Sequence, residues 1–400
     1  MTEAHDSSLP VALVLNGSVN EIVLIEQAKL LGYRVVTTGN APDLIGHKFA
    51  DDYVPVDYSD CKAVLDLANK LDISRIISCA NDFGAITSCY VAEQLGIPGH
   101  DRFINALTLH RKDRFKKYIQ ELGIRTPQSV ALQGRNEAYE YVKNISYPII
   151  VKATDLTGGK GVNKATGYEE ACRAIDDAFR KTRTDTILIE PYLSGDQQSA
   201  VAFIEAERVA ELVSCDCYMP LNPYLIQSET LPARGFSRIE AEIRDIIEGI
   251  CQDLNLVDGI FILQYIVSDG KPYVIEMMRR APGNQFLRAA RAVTGFHWEE
   301  ALVRAETGAG FDGMQRDKPL AAFTGHHGVM GTHNGVISGY HVAPELESHL
   351  FKRIDMMKPG DKITNYLNER VAYLYYAFDT REAIDEIAPR LNELASVDYV

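Results

Sequence analysis

The chain has 400 residues, of which 46% are hydrophobic, and a formal net charge of -14 at pH 7. This length predicts two or three domains with ample apolar content for their cores. The negative charge repels phosphate backbones and anionic lipids, so general binding to nucleic acid or to a membrane is disfavoured and small molecules are the expected partners.

The cysteines and the hydropathy pattern indicate the cellular compartment in which the protein is expected. Seven cysteines are scattered without a C-x-x-C pair, and only Cys215 and Cys217 stand close together. This spacing predicts reduced, buried thiols rather than a zinc site or a disulfide framework. The start MTEAHDSSLP is polar and acidic, unlike a secretory leader, and no later window is an unbroken apolar span of bilayer length. A cytoplasmic protein is therefore expected.

The first unit alternates short β-branched runs with segments of helical period, from VALVLN at residue 11 to a helix over 84–95. This βαβ series predicts an N-terminal α/β domain with a parallel sheet, whose ligand edge lies at the strand C-termini near Asn16, Thr38 and Asp82. The first turn, NGSVNE, lacks G-x-G-x-x-G, so dinucleotide binding is disfavoured.

A second, α+β unit follows a helix over 108–122. Its predicted order is strand YPIIVKA, the Gly-rich segment TDLTGGKGV, a helix over 168–181, strand TILIEPYL, a hairpin, a polar loop to residue 238, a helix over 239–254 and an antiparallel pair turning at Asp269-Gly270. A smaller third unit ends in an amphipathic helix over 380–395. The predicted domains are 1–98, 99–320 and 321–400.

The segment VKATDLTGGKGV places a flexible loop directly after a strand that ends at Lys152. Its glycines at 158, 159 and 161 allow backbone amides to point at an anion, and Lys160 adds positive charge, which is how a loop holds phosphate oxygens. The order is not G-x-x-x-x-G-K-[ST], so a P-loop NTPase is rejected. Taken alone, such a loop is an ordinary turn about as often as a phosphate cradle.

Other polar residues stand where they could join the same site. Lys112 lies at the start of a helix, and EPYLSGDQ places Glu190 and Gln197 around a strand-to-loop hinge. Gln264 and Glu276 occupy the two arms of the last hairpin, close enough across antiparallel strands for both side chains to meet one ion.

The order of Lys112, Lys152 with its Gly-rich loop, EPYLSGDQ and LQYIVSDGKPYVIEMMRRAPG resembles the ATP-grasp superfamily of carboxylate-amine ligases, and the pattern is closest to L-amino-acid ligases. Residues 11–98 resemble the α/β domain that precedes the ATP-grasp domain in this superfamily. The tail from GVISGY to REAIDEI resembles the C-terminal lid of L-amino-acid ligases and of the biotin carboxylase group. The resemblance therefore implies a pre-ATP-grasp domain, an ATP-grasp domain and a small lid subdomain.

The resemblance implies that the nucleotide is ATP. Lys112 and Lys152 would contact its phosphates under the glycine loop, Glu190 with the backbone that follows would hold adenine, and Gln197 would reach the ribose. The implied ATP-binding residues are Lys112, Lys152, Gly158, Gly159, Lys160, Glu190, Pro191, Tyr192, Leu193 and Gln197.

The resemblance also implies catalytic and metal-binding roles. Arg280 falls where family members keep an arginine that steadies the transferred phosphoryl group, and Lys152 and Lys160 would assist it. Glu276 and Gln264 are the implied ligands of Mg²⁺, or of Mn²⁺ in its place.

Three positions depart from the family pattern, namely Gln197, Gln264 and Met278. Gln197 replaces the usual Glu at the ribose and still offers an acceptor. Gln264 replaces an acidic metal ligand, and Met278 replaces the Asn that normally completes E-x-N. Since magnesium prefers hard oxygen ligands, metal binding is expected to depend mainly on Glu276, ATP oxygens and water.

The substrate side is predicted from NPYLIQSETLPARGF at 222–236. Amino-acid ligases carry an acid followed by a proline in this loop, which makes Glu229 a candidate for binding an amine and Arg234 for a carboxylate, and Asn284 could face the same pocket. A solvated polar loop is an equally weighted interpretation. The histidines of GHHGVMGTH are predicted to be packed or surface side chains, because no carboxylate or cysteine pattern completes a metal site.

These features predict an ATP-dependent ligase. ATP would phosphorylate an amino acid or another small carboxylic acid, an amine would displace phosphate, and an amide or peptide, ADP and phosphate would result. Two alternatives stay open: a ligase acting on a nucleotide- or sugar-linked acid, and an ATP-binding protein that has lost turnover through Gln264 and Met278. The expected partners are the carboxylate and amine substrates. A homodimer is the one assembly to be tested.

Overall fold

The computed structural model describes residues 9–400, and its first part is the predicted α/β unit. Four parallel strands form a sheet in the order β3-β2-β1-β4. The strands are β1 (Val11–Leu15), β2 (Arg34–Thr38), β3 (Asp52–Val54) and β4 (Arg75–Ile77), and the helices are α1 (Ile22–Leu30), α2 (Cys61–Leu71) and α3 (Asp82–Leu95). The prediction of a parallel N-terminal sheet is confirmed.

Two short helices lead into a small antiparallel sheet. The single helix predicted over 108–122 is interrupted at Arg111, which has an extended backbone, and continues as a second helix. The small sheet has the order β5-β8-β6-β7. Its elements and those before it are α4 (Phe103–His110), α5 (Lys112–Glu121), β5 (Val130–Gln133), α6 (Arg135–Val142), β6 (Ile149–Ala153), β7 (Val162–Ala165), α7 (Tyr168–Lys181) and β8 (Thr186–Pro191).

An eight-stranded antiparallel sheet forms the centre of the molecule, in the order β13-β12-β9-β10-β11-β14-β18-β16. Its strands are β9 (Asp196–Glu205), β10 (Arg208–Tyr218), β11 (Ser228–Leu231), β12 (Gly259–Ser268), β13 (Lys271–Met278), β14 (Phe323–Met330), β16 (Leu350–Asp355) and β18 (Arg370–Phe378). The helices in this part of the chain are α8 (Glu240–Leu254), α9 (Phe286–Thr294) and α10 (Trp298–Thr307).

The last part of the chain adds a three-stranded sheet in the order β17-β15-β19. Its elements are β15 (Gly335–Val342), α11 (Pro344–Glu347), β17 (Lys362–Ile363), α12 (Arg381–Ile387), α13 (Leu391–Leu394) and β19 (Ala395–Tyr399). The single helix predicted over 380–395 is divided by a 3-10 turn at Ala388–Arg390. Pro389 lies in that turn, and its ring removes a backbone donor that a continuous α-helix would use.

The central sheet runs across the predicted boundary between the second and third units. Strands β14, β16 and β18 belong to residues 321–400, yet β14 pairs with β11 of the preceding unit. Side chains of the C-terminal part therefore reach the same sheet face as those of β9 to β13. The division at residue 320 stays a prediction.

One buried apolar cluster joins the N-terminal sheet to the central sheet through α9 and α10. A polar contact fixes the same junction, because the backbone N–H of Ser78 donates to Glu306 at 2.8 Å. This packing brings the start of α3, with Asp82, to the central sheet. Among residues 9–400, no helix is both long and apolar enough to cross a membrane.

Candidate active site

Two neighbouring cavities lie between the three main sheets. The larger has a volume of about 600 Å³ and the smaller about 270 Å³. Six residues line both cavities, from the loop after β6, the start of β9, the segment before β11 and the β12-β13 hairpin. They are Gly158, Gly159, Gln197, Tyr224, Gln264 and Glu276. Segments far apart in sequence therefore meet at one place, as the motif order predicts.

The larger cavity carries a buried carboxylate between two lysines. Lys152 forms an ion pair with Glu190, whose other oxygen lies 3.4 Å from the Lys116 ammonium and accepts a hydrogen bond from Ser129 at 2.8 Å. Burial disfavours the charge on Glu190, but the two lysines outweigh burial and lower its pKa to about 2. The side chain of Glu190 is thus fully engaged by protein groups.

The Glu190 ion pairs should appear in the pH dependence of stability. Because the folded pKa of about 2 lies below the ordinary value of 4.5, ionised Glu190 stabilises the fold above about pH 4.5. This contribution should fall by roughly 1.4 kcal/mol per pH unit below that point. Urea unfolding of the wild type and of Glu190→Gln should give a constant difference from pH 7 to about 5 and a shrinking one below. An unchanged difference at pH 3.5 would contradict the assignment.

The residues predicted to hold adenine follow Glu190 along the edge of the larger cavity. Pro191, Tyr192 and Leu193 line it, and the ammonium of Lys164 lies 3.6 Å from the centre of the Tyr192 ring. Glu190 is paired with Ile150 in the small sheet, so its backbone is fixed by the sheet. These residues therefore line the cavity at the end of a strand that is paired within the small sheet.

Glu276 meets a lysine rather than an arginine. Its carboxylate forms an ion pair with Lys112, which also donates to the Leu156 carbonyl at 2.8 Å. Burial lowers the pKa of Lys112, but the charges of Glu276 and Asp82 outweigh burial and raise it. Gln264 is the cross-strand partner of Glu276, and both line the two cavities. Their oxygens are the hard donors that Mg²⁺ binds, so this position fits the implied metal.

The two arginines after Glu276 have different partners. Arg279 is bound by Asp101 at 2.9 and 3.3 Å and is an ordinary buried ion pair. Arg280 lines the smaller cavity and forms an ion pair with Asp82. Burial opposes ionisation of Asp82, but the charge of Arg280 outweighs it and holds the pKa of that carboxyl well below its usual range.

Met278 stands where the family pattern would place a further oxygen ligand for the metal. The sulfur of Met278 lies 3.3 Å from a terminal nitrogen of Arg280, and the Met278 side chain belongs to the buried core. A thioether beside a guanidinium offers no hard oxygen to Mg²⁺. Glu276 and Gln264 stay the predicted metal ligands at this position.

The loop after β6 contributes lining residues to both cavities. Gly158, Gly159 and Gly161 have positive φ angles of 62°, 72° and 69°, which glycine adopts without strain. A Cβ at Gly159 would lie 2.3 Å from the Tyr224 carbonyl oxygen, so only glycine fits that contact. Lys160 is exposed on this loop, and the structure does not bring it into the lining of either cavity.

The smaller cavity contains the predicted acid Glu229. Its carboxylate lies 2.6 Å from the His326 Nε2 and accepts a hydrogen bond from the Asn284 side chain at 2.6 Å. Glu229 is 3% exposed and lies in β11 between β10 and β14. The interpretation of residues 222–236 as a wholly solvated loop is therefore wrong for this segment, and the structure does bring Glu229 and Asn284 together.

Arg234, the residue predicted to bind a carboxylate, does not line the smaller cavity. It lines the larger cavity, where its Nε is 3.4 Å from Asp216, and its side chain is half exposed. The structure therefore does not place Arg234 and Glu229 in the same cavity. A carboxylate bound beside Glu229 needs a different cationic partner.

Two thiols approach Glu229 from β10. The Cys215 and Cys217 sulfurs lie 3.2 and 3.9 Å from its Oε1. Each of the seven cysteines is free; four are buried as predicted, whereas Cys61, Cys172 and Cys217 are only partly buried. The cluster of two thiols and a carboxylate could not be read from the sequence, because Glu229 reaches it through cross-strand pairing with Cys217.

Comparisons with known proteins agree with this architecture. The model of the phosphoribosylglycinamide synthetase ATP-grasp (A) domain matches residues 111–221. The carbamoyl phosphate synthase large chain, C-terminal section, of Methanopyrus kandleri is 25% identical over 270 residues, which are 62% of this chain and 47% of that protein. The phosphoribosylamine–glycine ligase of Fusobacterium nucleatum is 25% identical over 187 residues, covering 41% of this chain and 42% of that protein. These matches span less than half the length of either relative.

Solved structures are similar over nearly the whole chain. The L-amino acid ligase from Bacillus licheniformis has a TM-score of 0.79 at 15% identity, covering 98% of this chain and 99% of that one. Phosphoribosylglycinamide synthetase from Anaerococcus prevotii has a TM-score of 0.74 at 16% identity, covering 98% and 100%. The biotin carboxylase domain dimer of Hydrogenobacter thermophilus 2-oxoglutarate carboxylase, in complex with MgADP, ADP and bicarbonate, has a TM-score of 0.73 at 19% identity, covering 98% and 91%.

Residues 111–221 therefore match an ATP-grasp domain, and nearly the whole chain shares its fold with the phosphoribosylglycinamide synthetase and the L-amino acid ligase. Likeness at this level of identity establishes a common fold and not a common substrate.

Proposed function

We propose that the protein is an ATP-dependent carboxylate-amine ligase that forms an amide or peptide bond through an acyl phosphate. The observation that carries the proposal is the joining of the two cavities at Gln264 and Glu276. The larger cavity offers lysines, glycine amides and a backbone hinge to a nucleotide. The smaller offers Arg280 and a buried acid to the reacting groups.

The larger cavity is the proposed ATP site. Lys112 and Lys152 supply positive charge for the phosphates, and the amides of Gly158 and Gly159 cover them. Because the Glu190 side chain is occupied by lysines, the adenine contact falls to the backbone of residues 190–193. A volume of about 600 Å³ is within the usual range for small-molecule sites.

The smaller cavity is the proposed site of acyl transfer. A carboxylate oxygen attacks the γ-phosphorus of ATP, the bond to ADP breaks, and an acyl phosphate forms. The bound ammonium first loses one proton to solvent, and the resulting amine nitrogen attacks the acyl carbon. Phosphate then leaves with the oxygen it received, and the nitrogen loses a second proton. Arg280 neutralises charge on the transferred phosphoryl group, and Glu229 holds the incoming ammonium.

Glu276 and Gln264 are the residues proposed to hold Mg²⁺ or Mn²⁺. The bound ion would neutralise charge on the phosphate oxygens. Before it binds, Lys112 occupies the Glu276 carboxylate. Lys112 is therefore proposed to move from Glu276 to a phosphate oxygen when nucleotide and metal enter.

An ATP-binding protein without turnover is the second candidate. It is favoured by one observation, the Met278 side chain that packs against Arg280 where the family pattern has an oxygen ligand. Such a protein would bind ATP and Mg²⁺ but would release no ADP with any added substrate. A ligase acting on a nucleotide- or sugar-linked acid differs only in the substrate that supports ADP release.

A panel assay separates these functions. ADP and phosphate release are measured with ATP, Mg²⁺ and all pairs of the twenty L-amino acids, then with other small acids and with ribonucleotide-linked acids, each with ammonium as a further amine. Mass spectrometry of active mixtures identifies the condensed product. The proposal expects stoichiometric ADP, phosphate and amide. ATP binding with no ADP release from any mixture would favour the second candidate.

The glycine loop should become ordered when nucleotide binds. Residues 155–161 contain three glycines in left-handed conformations, and phosphate oxygens would supply partners that the amides otherwise lack. Hydrogen exchange in this loop should slow at least about tenfold on addition of ATP and Mg²⁺. Exchange in α7, which packs outside the cavities, serves as the internal control. Equal exchange in the loop with and without nucleotide would exclude its role as a cover.

A further inference from the structure

Two thiols and one carboxylate oxygen meet between the two cavities. The Sγ atoms of Cys215 and Cys217 lie 3.2 and 3.9 Å from Glu229 Oε1, and the two sulfurs lie within 4.8 Å of each other. Cys217 lines the larger cavity and Glu229 lines the smaller one. Cys215 closes the cluster from the side of the buried core. Three atoms that can bind a metal therefore converge on one point beside the cavities.

The strand register places these three side chains on one face of the central sheet. Cys215 and Cys217 are two residues apart on β10, so their side chains point to the same face. Glu229 on β11 is the cross-strand partner of Cys217, and paired residues also share a face. The cysteine spacing alone predicts no zinc site, because the third potential ligand comes from another strand. Backbone pairing, and not a flexible loop, brings the three together.

The spacing of the three atoms fits a tetrahedral ion. Zinc bonds of about 2.3 Å to sulfur and about 2.0 Å to oxygen place neighbouring sulfur and oxygen ligands about 3.5 Å apart in a tetrahedral site. The observed sulfur–oxygen distances of 3.2 and 3.9 Å lie on either side of this value. The fourth position is left for water or for the Ser199 hydroxyl, which lies 3.4 Å from the Cys217 sulfur.

The second oxygen of Glu229 is held by other groups. His326 Nε2 forms an ion pair with Oε2 at 2.6 Å, and the Asn284 side chain donates to the same oxygen at 2.6 Å. Among residues 9–400, the polar contacts of Oε1 are those with the two thiols. One oxygen is thus anchored while the other faces sulfur. Carboxylates that bind metals are commonly oriented in this way.

The sulfur atoms determine the class of ion. Thiolates suit Zn²⁺ and similar soft cations, whereas Mg²⁺ prefers oxygen ligands. The predicted Mg²⁺ ligands also lie apart from the thiols, because Cys215 is paired with Ser199 on β9, and Ser199 with Gln264 on β12. Two interstrand steps separate the backbones of Cys215 and Gln264 by about 9.6 Å. The thiol cluster is therefore distinct from the predicted Mg²⁺ position.

We propose that Cys215, Cys217 and Glu229 bind a divalent cation of the zinc class. Each thiol loses its proton to solvent as its sulfur binds the ion. In the function proposed above, Glu229 contacts the amine substrate, so an ion held by its carboxylate blocks that position. The site is therefore inhibitory, and this consequence, unlike the binding itself, rests on the proposed function.

Metal titrations test the site without turnover. The reduced protein is freed of metal with a chelator and titrated with Co²⁺, whose thiolate complexes absorb in the near ultraviolet, and with Zn²⁺ in competition with a chromogenic chelator. Mg²⁺ is kept in large excess to fill sites that have only oxygen ligands. The variants are Cys215→Ser, Cys217→Ser and Glu229→Gln. Cys251→Ser is the matched control, because Cys251 is a buried cysteine of α8 in a different core cluster.

The wild type and Cys251→Ser should bind one Co²⁺ or Zn²⁺ per chain with a thiolate band, and Mg²⁺ should not displace it. Affinity should fall at least about 100-fold in Cys217→Ser, because losing a ligand costs more than losing a group that orients one. Cys217 is only partly buried, so this variant decides the matter even if Cys215→Ser does not fold. Equal affinity in the wild type and Cys217→Ser, or no thiolate band in the wild type, would overturn the inference.

ADP release provides the second readout, in any mixture that is active in the panel assay. Free Zn²⁺, fixed by a metal buffer in the presence of Mg²⁺ and ATP, should stop ADP release by the wild type, and a zinc chelator should restore it. Cys217→Ser, compared with its own metal-free rate, should resist Zn²⁺. Zinc binding without loss of ADP release would overturn the inhibitory role. Absence of ADP release from every mixture would remove the ligase, whereas the titrations would still decide the metal site.

Discussion

Lys152→Met should weaken ATP binding about 10- to 100-fold and lower the rate of ADP release by about 10² to 10³. The ammonium of Lys152 lines the larger cavity at the end of β6, beside the glycine loop. In the proposed complex it exchanges its ion pair with Glu190 for a phosphate oxygen. The variant should stay folded, because Lys116 and Ser129 still contact the Glu190 carboxylate.

Lys116→Met is the matched control for this result. Lys116 shares the same carboxylate but is buried behind it, where it donates to Thr126 at 2.6 Å and to the Val274 carbonyl at 3.2 Å. Burial lowers the pKa of Lys116 to about 8. Its removal should change the unfolding free energy by about 1 to 3 kcal/mol and leave ATP affinity unchanged. Calorimetric titration with ATP that shows equal loss in both variants, or none in Lys152→Met, would contradict the assignment.

Glu276→Gln should remove Mg²⁺-dependent ATP binding almost completely, whereas Gln264→Glu should tighten it. The two residues are cross-strand partners, and Glu276 is the carboxylate proposed for the ion. Most of the attraction between a ligand oxygen and a divalent ion is Coulombic, so a neutral amide contributes much less than a carboxylate. The reversed effects of the two exchanges distinguish a metal site from general loss of structure.

Mg²⁺ titrations of ATP binding, combined with thermal midpoints, give the outcome for both variants. In the absence of Mg²⁺, Gln264→Glu should melt lower than the wild type, because the new carboxylate lies opposite Glu276, whose charge Lys112 already pairs. Added Mg²⁺ should reverse this order. A lower melting temperature with an unchanged Mg²⁺ midpoint would show that Gln264 is not a ligand and leave Glu276 alone on the ion.

The parts of the fold with strong local signals were predictable from the sequence. The hairpin of β12 and β13 turns at Asp269-Gly270, as the two apolar runs around that dipeptide indicate, and helix α7 over residues 168–181 agrees with its predicted range. The parallel order of the first sheet follows from the βαβ series. In each case the residues that determine the element are close together in the chain.

Strand β11 could not be predicted in this way. Its residues Ser228–Leu231 are all buried, yet three of the four are polar, which is the pattern of a loop. They can be buried because β10 and β14 satisfy the backbone, and because His327 and His326 contact Ser228 and Glu229. Strand β14 and its two histidines lie about 100 residues further along the chain, so no local sequence pattern indicates these contacts.

In the candidate site, too, residues within local motifs could be predicted, whereas residues whose role depends on distant contacts could not. Lys112, Lys152 and Glu276 stand in recognisable motifs, and the structure brings them to one pair of cavities. Lys116 and Cys215 carry no motif. Lys116 becomes notable only through its burial beside Glu190, and Cys215 only through its contact with Glu229.

The central claim is that a carboxylate oxygen passes to phosphate during turnover. The direct measurement uses a pool of the twenty L-amino acids labelled with ¹⁸O in the α-carboxylate, with ATP, Mg²⁺ and unlabelled ammonium, in unlabelled water. If the protein forms an acyl phosphate, mass spectrometry of the released phosphate will show one ¹⁸O for each amide formed. Phosphate that carries no ¹⁸O while ADP accumulates would mean that water attacks ATP, and would contradict the account.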